Sequence, residues 1–233
     1  MLVCNGEIYN HREFETGKEL SGSDCECLIG MLKKYGIRDT CNLVRGVFAF
    51  AWTDGERLLV ARDPIGVRPL FYTRTPEGSI VFASEMKALP VRADVFPPGH
   101  FYDSYLDDFV CYHNLYWSTV PTGKDSAEWE IQKRFEESVA RRIANTDREV
   151  GFLLSGGLDS SLVAAVAKKL GVKNMKTFSI GQSDSPDILA ARKVADFLGS
   201  NHHEVLFDFD EGVRVIPDVI RSLESYDTTT IRA

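Results

Sequence analysis

With 233 residues, 44% of them hydrophobic and 26% charged, the chain is long enough for one large domain or two small ones and has an ordinary globular composition. Its 34 acidic and 27 basic residues leave a formal charge of −7, without the basic field that holds nucleic-acid phosphates or an anionic membrane surface. The longest apolar runs, Gly46 to Trp52 and Val150 to Leu154, are of strand length, far short of the roughly 20 residues of a membrane span. The opening MLVCNGEIYN has no charged stretch followed by an apolar one, so a cytoplasmic location with no nucleic-acid or membrane partner is expected.

The first half reads as β-rich. LVCN opens as a short strand. A helix follows, with Ser23 and Asp24 placed to cap it, Leu28, Leu32 and Tyr35 at helical spacing, and Gly36 expected to end it. GVFAFAWTDGERLLVARD then gives two strands joined at Asp54-Gly55, and PLFYTRT and SIVFASE give a second hairpin across Pro76-Glu77-Gly78. Hairpins with a helix on one face imply an α+β layer.

Near residues 113 to 127 the period changes. A long amphipathic helix is expected from about Asp125 to Asn145. After it come EVGFLL (strand), SSLVAAVAKKLG (helix), MKTFSI (strand), SPDILAARKVADFLG (helix), HHEVLF (strand) and EGVRVIPDVIRSLE (helix, with Pro217 at a kink or late start). This alternation predicts a parallel sheet with crossover helices, hence two domains of different class. The five cysteines, Cys4, Cys25, Cys27, Cys41 and Cys111, form no CxxC pair and are expected to be buried reduced thiols. His202 and His203 are adjacent in a predicted strand, so they point to opposite faces and do not share a metal.

One loop carries chemistry. Ser155-Gly156-Gly157-Leu158-Asp159-Ser160-Ser161 lies between an apolar strand and an Ala/Val-rich helix, where glycines let the backbone approach an anion and the helix N-terminus faces it. Gly156 is expected to leave the space that a phosphate needs. A Walker A loop has Lys followed by Ser or Thr after its last glycine, whereas this loop has Leu158-Asp159, so γ-phosphate transfer of that type is excluded. A carboxylate beside phosphates needs a cation between them, so Asp159 points to Mg²⁺ bridging to pyrophosphate.

The string GFLLSGGLDSSLVAA resembles the glutamine-hydrolysing asparagine synthetases, whose synthetase domain is an N-type ATP-pyrophosphatase. That resemblance implies ATP-dependent conversion of L-aspartate to an acyl-adenylate and its amidation to L-asparagine. It assigns Leu153 and Ile180 to the adenosine, and Ser155, Gly156, Gly157, Leu158, Asp159 and Ser160 to the pyrophosphate cradle. DSPDILAARKVADFLGSNHHEVLF and ESYDTTTIRA extend the likeness, with Thr230 and Arg232 as aspartate contacts.

VCNGEIYNH, GSDCE, GVFAFAWTD, RDPIGVRPLF and ASEMKAL are similar to the glutaminase domain of the same family, a class II amidotransferase of the N-terminal-nucleophile type. By resemblance Asn5 and Gly6 form an oxyanion hole, and Asn5, Gly6, Glu7 and Asp24 bind glutamine. The resemblance therefore implies an incomplete α+β amidotransferase domain over 1–112, a linker over 113–127 and an incomplete α/β synthetase domain over 128–233. The family's nucleophilic Cys and Arg-rich loop precede the matched segments, Cys4 matches a structural position, and the family's second nucleotide segment follows them. The chain alone is thus expected to lack glutaminase activity. ATP and Mg²⁺ are the expected cofactors, L-glutamine or ammonia the nitrogen donor, and a homodimer the assembly the family allows. Other adenylating amide synthetases, for example β-lactam synthetase-like proteins, and a noncatalytic nucleotide-binding module are the alternatives.

Overall fold

The computed structural model describes residues 1–14, 22–114, 124–146 and 148–224, and the chain divides into two compact units, Met1–Val120 and Pro121–Ala233.

In the first unit, β1 (Leu2–Ile8), β2 (Gly46–Thr53), β3 (Leu58–Arg62), β7 (His100–Asp103) and β8 (Asp108–Cys111) form an antiparallel sheet in the order β1-β2-β3-β7-β8. A second antiparallel sheet has the order β5-β4-β6, from β4 (Phe71–Arg74), β5 (Ile80–Ala83) and β6 (Asp94–Val95). Both predicted hairpins are present, whereas the strands over 94–111 have no counterpart in the sequence reading.

The run VFAFAW is apolar throughout because the larger sheet is buried on both faces. Phe48, Phe50 and Trp52 join Leu59, Ala61 and Phe101 against α1 (Cys27–Leu43), while Ala49, Ala51, Val60 and Tyr102 face Leu70, Tyr72, Phe82 and Phe96 from the side of the smaller sheet. Alternation of side chains along each strand sorts these two sets.

Two details of α1 differ from expectation. Ser23 makes no capping bond and Asp24 lies in a short 3₁₀ turn, Asp24–Glu26, with its carboxylate accepting from the Ile8 N–H at 2.5 Å; the α-helix begins only at Cys27. Gly36 (φ 75°, ψ 172°) breaks the helix without ending it. Ile37, Thr40 and Cys41 are buried beyond the break, so core packing sustains a second helical segment to Leu43. Of the cysteines, Cys25, Cys27 and Cys41 are buried as expected, but Cys4 is only partly so and Cys111 is exposed; all five are free thiols.

The second unit contains α2 (Lys124–Ala144), β9 (Gly151–Leu153), α3 (Leu158–Lys169), β10 (Lys176–Gly181), α4 (Pro186–Leu198), β11 (Asn201–Leu206) and α5 (Phe209–Leu223), with Pro217 inside the last helix. The three strands pair in parallel in the order β11-β10-β9. Phe152 and Leu154 pack with Val139 of α2, Ala164 and Ala167 of α3, and Ala191, Ala195 and Leu198 of α4. Ser185 caps α4 by accepting from the Ile188 N–H at 3.2 Å, Pro186 opens it and Gly199 (φ 59°) closes it. The parallel register places Leu153 beside Phe178, and with Ile180 and Val205 they lie on the face opposite Thr177 and Ser179. On that face Leu153 is 84%, Ile180 62% and Val205 55% exposed.

Candidate functional site

In the second unit the chain leaves β9, turns at Gly156 (φ 77°) and enters α3 at Leu158 with Gly157 as the flanking residue. The turn is cross-braced by hydroxyls. Ser155 Oγ and Ser160 Oγ lie 3.1 Å apart, the Ser155 N–H donates to Ser160 Oγ at 3.3 Å, the Gly157 N–H donates to Ser155 Oγ at 3.4 Å, and Ser160 Oγ donates to the Gly157 carbonyl at 3.3 Å. Leu158 is 80% exposed, and Asp159 in the first turn of α3 is exposed without a hydrogen-bond partner among the described residues. The N-terminal N–H groups and dipole of α3 therefore open onto a rim of hydroxyls and one free carboxylate, an arrangement that accepts an anion together with a cation.

Glycine at 156 is also demanded by packing within the unit. A Cβ there would stand 2.5 Å from the Ala190 carbonyl carbon and Cβ and from the Ala191 nitrogen, so the approach of α4 by itself demands glycine here. A Cβ at Gly157 would meet only Ser155 Oγ, at 3.4 Å.

Leu153 and Ile180, predicted together from sequence, do share one sheet face, one on each of the neighbouring strands β9 and β10. Ile180 also lines a groove of about 490 Å³ with Val205, Phe207 and the apolar side of α5, including Phe209, Val213 and Ile216. Behind Ile180, His202 ties the two strands: its Nδ1 lies 2.9 Å from Thr177 Oγ1 and its Nε2 3.1 Å from Ser179 Oγ. His203 stacks on Phe178 on the opposite face, as the adjacency of the two histidines requires. Thr230 and Arg232 lie outside the described residues.

In the first unit, Asn5, Gly6 and Glu7 sit in β1, the outer strand of the sheet. The Tyr9 N–H turns inward to the Arg45 carbonyl, whereas the Ile8 N–H turns outward to Asp24 Oδ2. Alternation along the strand directs the Gly6 N–H outward as well, on the side where Cys25 Sγ donates to the Gly6 carbonyl at 3.7 Å. Glycine is required at 6 because a Cβ would stand 2.3 Å from the Val47 carbonyl oxygen. Asn5, Gly6 and Asp24 thus flank one strand edge.

Arg68 is the residue the sequence reading passed over, although RDPIGVRPLF contains it. Its guanidinium reaches Glu7 at 3.5 Å, and its buried Nε has no acceptor among the described residues. A rigid loop delivers it. Asp63 accepts from the N–H groups of Ile65, Val67 and Arg68 at 2.9–3.2 Å, and the Arg62 guanidinium donates to the carbonyls of Gly66, Arg68 and Phe96 at 2.7–2.8 Å. A signal was available in the paired Asp63 and Arg68 at the two ends of a Gly-containing turn.

Comparison with known proteins assigns each unit. Residues 1–91 match the family model described as a glutamine amidotransferase domain, and residues 130–233 match the asparagine synthase model. Over its whole length the chain is 41% identical to a glutamine-hydrolysing asparagine synthetase of Zea mays, 40% to one of Arabidopsis thaliana and 39% to that of Cricetulus griseus. It spans 43%, 43% and 48% of those proteins. Among solved structures, the glutamine phosphoribosylpyrophosphate amidotransferase of B. subtilis, complexed with ADP and GMP, aligns over 87% of this chain and 45% of its own at 19% identity and a TM-score of 0.44.

Proposed function

Because the chain belongs to the family of glutamine-hydrolysing asparagine synthetases, of which it spans under half the length, we propose that it carries the pyrophosphate-binding loop and part of the glutamine site of an ATP-dependent, asparagine-forming ligase. The observation that carries this reading is the 155–160 loop: strand, positive-φ glycine, converging serine hydroxyls and a helix N-terminus, with exposed apolar residues on the adjoining sheet face.

In this reading Ser155, Ser160 and the first N–H groups of α3 hold the β- and γ-phosphates, and Leu153 and Ile180 pack on the adenosine. The aspartate side-chain carboxylate attacks the α-phosphorus, the pyrophosphate so released stays in the loop, and ammonia displaces AMP from the aspartyl-adenylate. Asp159 fits a Mg²⁺ ion held mainly by phosphate oxygens, because such ions take one or two carboxylates besides substrate oxygens. Among the described residues no cluster of three His, Cys, Asp or Glu forms an all-protein cage. When bound, the ion supplies the positive charge that makes a carboxylate tolerable beside pyrophosphate.

In the first unit Asn5 and the outward Gly6 N–H are the donors for a tetrahedral oxyanion, and Glu7 and Asp24 are the carboxylates for the ammonium group of glutamine. Cys4 points to the opposite, α1-facing side of β1 from Asn5 and Glu7, which suits a structural role.

The test is Mg²⁺-dependent ATP binding together with aspartate-dependent ATP/pyrophosphate exchange. Asp159→Asn is expected to weaken Mg²⁺-dependent ATP binding at least tenfold, about 1.4 kcal/mol, with unchanged far-UV circular dichroism. Equal ATP affinity of wild type and variant, with and without Mg²⁺, would overturn the assignment. Binding without exchange would support a nucleotide-binding module instead.

A further inference from the structure

In β10 and β11 the parallel register sets Thr177 beside His202 and Ser179 beside Glu204, so four polar side chains share one face of the sheet. Thr177 is fully buried, Ser179 is 7% exposed and the His202 side chain 12%. Polar groups so placed must satisfy one another. Their chain of hydrogen bonds ends on a group that only accepts, the Ala195 carbonyl, and this fixes each proton along it. Ser200 Oγ donates to that carbonyl at 3.3 Å, so Thr177 Oγ1, 2.8 Å away, donates to Ser200, and His202 Nδ1, 2.9 Å from Thr177, carries the ring proton. In the neutral ring Nε2 is then an acceptor, and the Ser179 hydroxyl donates to it at 3.1 Å.

Ser179 stands where the sheet has support on one side only. β9 accompanies β10 as far as Phe178, whose carbonyl accepts from the Leu154 N–H at 2.7 Å, and the chain then leaves for the Gly156 turn. Among the described residues, Ser179, Ile180 and Gly181 have strand pairing on the β11 side alone. We propose that His202 is a positioning residue for the nucleotide site, holding this end of β10 through Ser179 and so fixing Ile180, which projects from the other face of the same strand. The inference rests on the nucleotide reading of the 155–160 loop and adds to it a residue that touches no ligand.

The bracket continues to the pyrophosphate side of the site. Glu204 lies 3.8 Å from His202 Nε2 but is occupied by Arg192 of α4, whose guanidinium donates to both its oxygens at 2.6 and 2.8 Å. Two residues before Arg192, Ala190 is the neighbour that Gly156 abuts. One face of β11 thus grips the strand of Ile180 through His202, and the helix packed on the Gly156 turn through Glu204.

Asn and Gln divide the two bonds of the ring between them. The Asn amide reaches the place of Nδ1 and donates to Thr177, leaving Ser179 without its acceptor, whereas the Gln amide reaches the place of Nε2 and offers Ser179 a carbonyl, leaving Thr177 without its donor. Each variant loses one buried hydrogen bond, so a purely structural role lowers both melting temperatures alike and separates the two in nothing else.

To test this, the full chain is compared as wild type, His202→Asn, His202→Gln and Ser179→Ala, by calorimetry with ATP and Mg²⁺ and, without nucleotide, by the Ile180 δ1-methyl resonance, assigned through Ile180→Val. His202→Asn and Ser179→Ala are expected to weaken ATP binding about tenfold and to shift the methyl resonance, whereas His202→Gln brings the affinity back to within about threefold of wild type with the resonance near its native position. Equal affinities or equal methyl shifts for His202→Asn and His202→Gln would overturn the proposal. Where a variant at 202 fails to fold, Ser179→Ala decides: native affinity and a native methyl resonance in that variant overturn it as well. A wild-type chain that binds no ATP while the methyl pattern holds would sink the nucleotide reading and leave His202 as the residue that places Ile180.

Discussion

Gly156 and Asp24 each hold the fold at a residue of a proposed site. Gly156 meets α4 on one side and turns the loop by its positive φ, so Gly156→Ala is expected to cost about 1–3 kcal/mol of stability through overpacking, whereas Gly157→Ala stays within about 0.5 kcal/mol. Thermal melts of the two variants read the difference directly. Asp24 holds the Ile8 N–H through one oxygen, a task that the Asn carbonyl also performs. Asp24→Asn should therefore leave the melt nearly unchanged while weakening glutamine binding by about 1.5–3 kcal/mol, the range for a hydrogen bond to a charged group. Unaltered affinity by calorimetry would remove Asp24 from the glutamine site. The residue types of both positions were legible in the sequence, but the packing that demands glycine at 156 was not. Its obstacle, Ala190, lies 34 positions away, and no local pattern announces it.

At the scale of elements, β3 and β7 are fastened by Arg57 and Asp103, whose side chains meet through two hydrogen bonds while Asp103 is only 3% exposed. The Arg57 contact holds the Asp103 carboxyl below the usual carboxylate range, with the Tyr105 N–H assisting. A depressed native value stabilises the fold above the unfolded value of about 3.9 and is lost as pH falls through the native one. Asp103→Asn should accordingly cost about 1.5–3 kcal/mol at pH 7 by denaturant titration, and the gap between variant and wild type should close below about pH 3.9. Elements with strong periodicity, such as the two hairpins and α3, α4 and β10, were legible in sequence. The helix beyond Gly36 and the strands over 94–111 were not, for physical reasons. The first is held by tertiary packing across a backbone break, and the strands are two to four residues long, with β6 paired to the distant β4 and β7 to the distant β3.

At the scale of the whole molecule, each unit has its own core, but the parallel sheet leaves one face open among the described residues, with Leu153, Ile180, Val205 and Phe209 exposed. Contiguous apolar surface of this kind binds hydrophobic dyes. The chain should enhance ANS fluorescence under native conditions, and Val205→Thr with Phe209→Ser should reduce that enhancement; an unchanged signal would place the dye elsewhere. The two-sided burial of β2 has a consequence in time. As the chain emerges during synthesis, α1 is already made when Phe48, Phe50 and Trp52 appear, so the face carrying these aromatics is covered at once. The other face waits for the smaller sheet, which is complete only at Val95, roughly 2–9 s later at about 5–20 residues per second. On that late face β2 presents Ala49 and Ala51, so the side of the strand that stays open longest while the protein is being made is also its least adhesive.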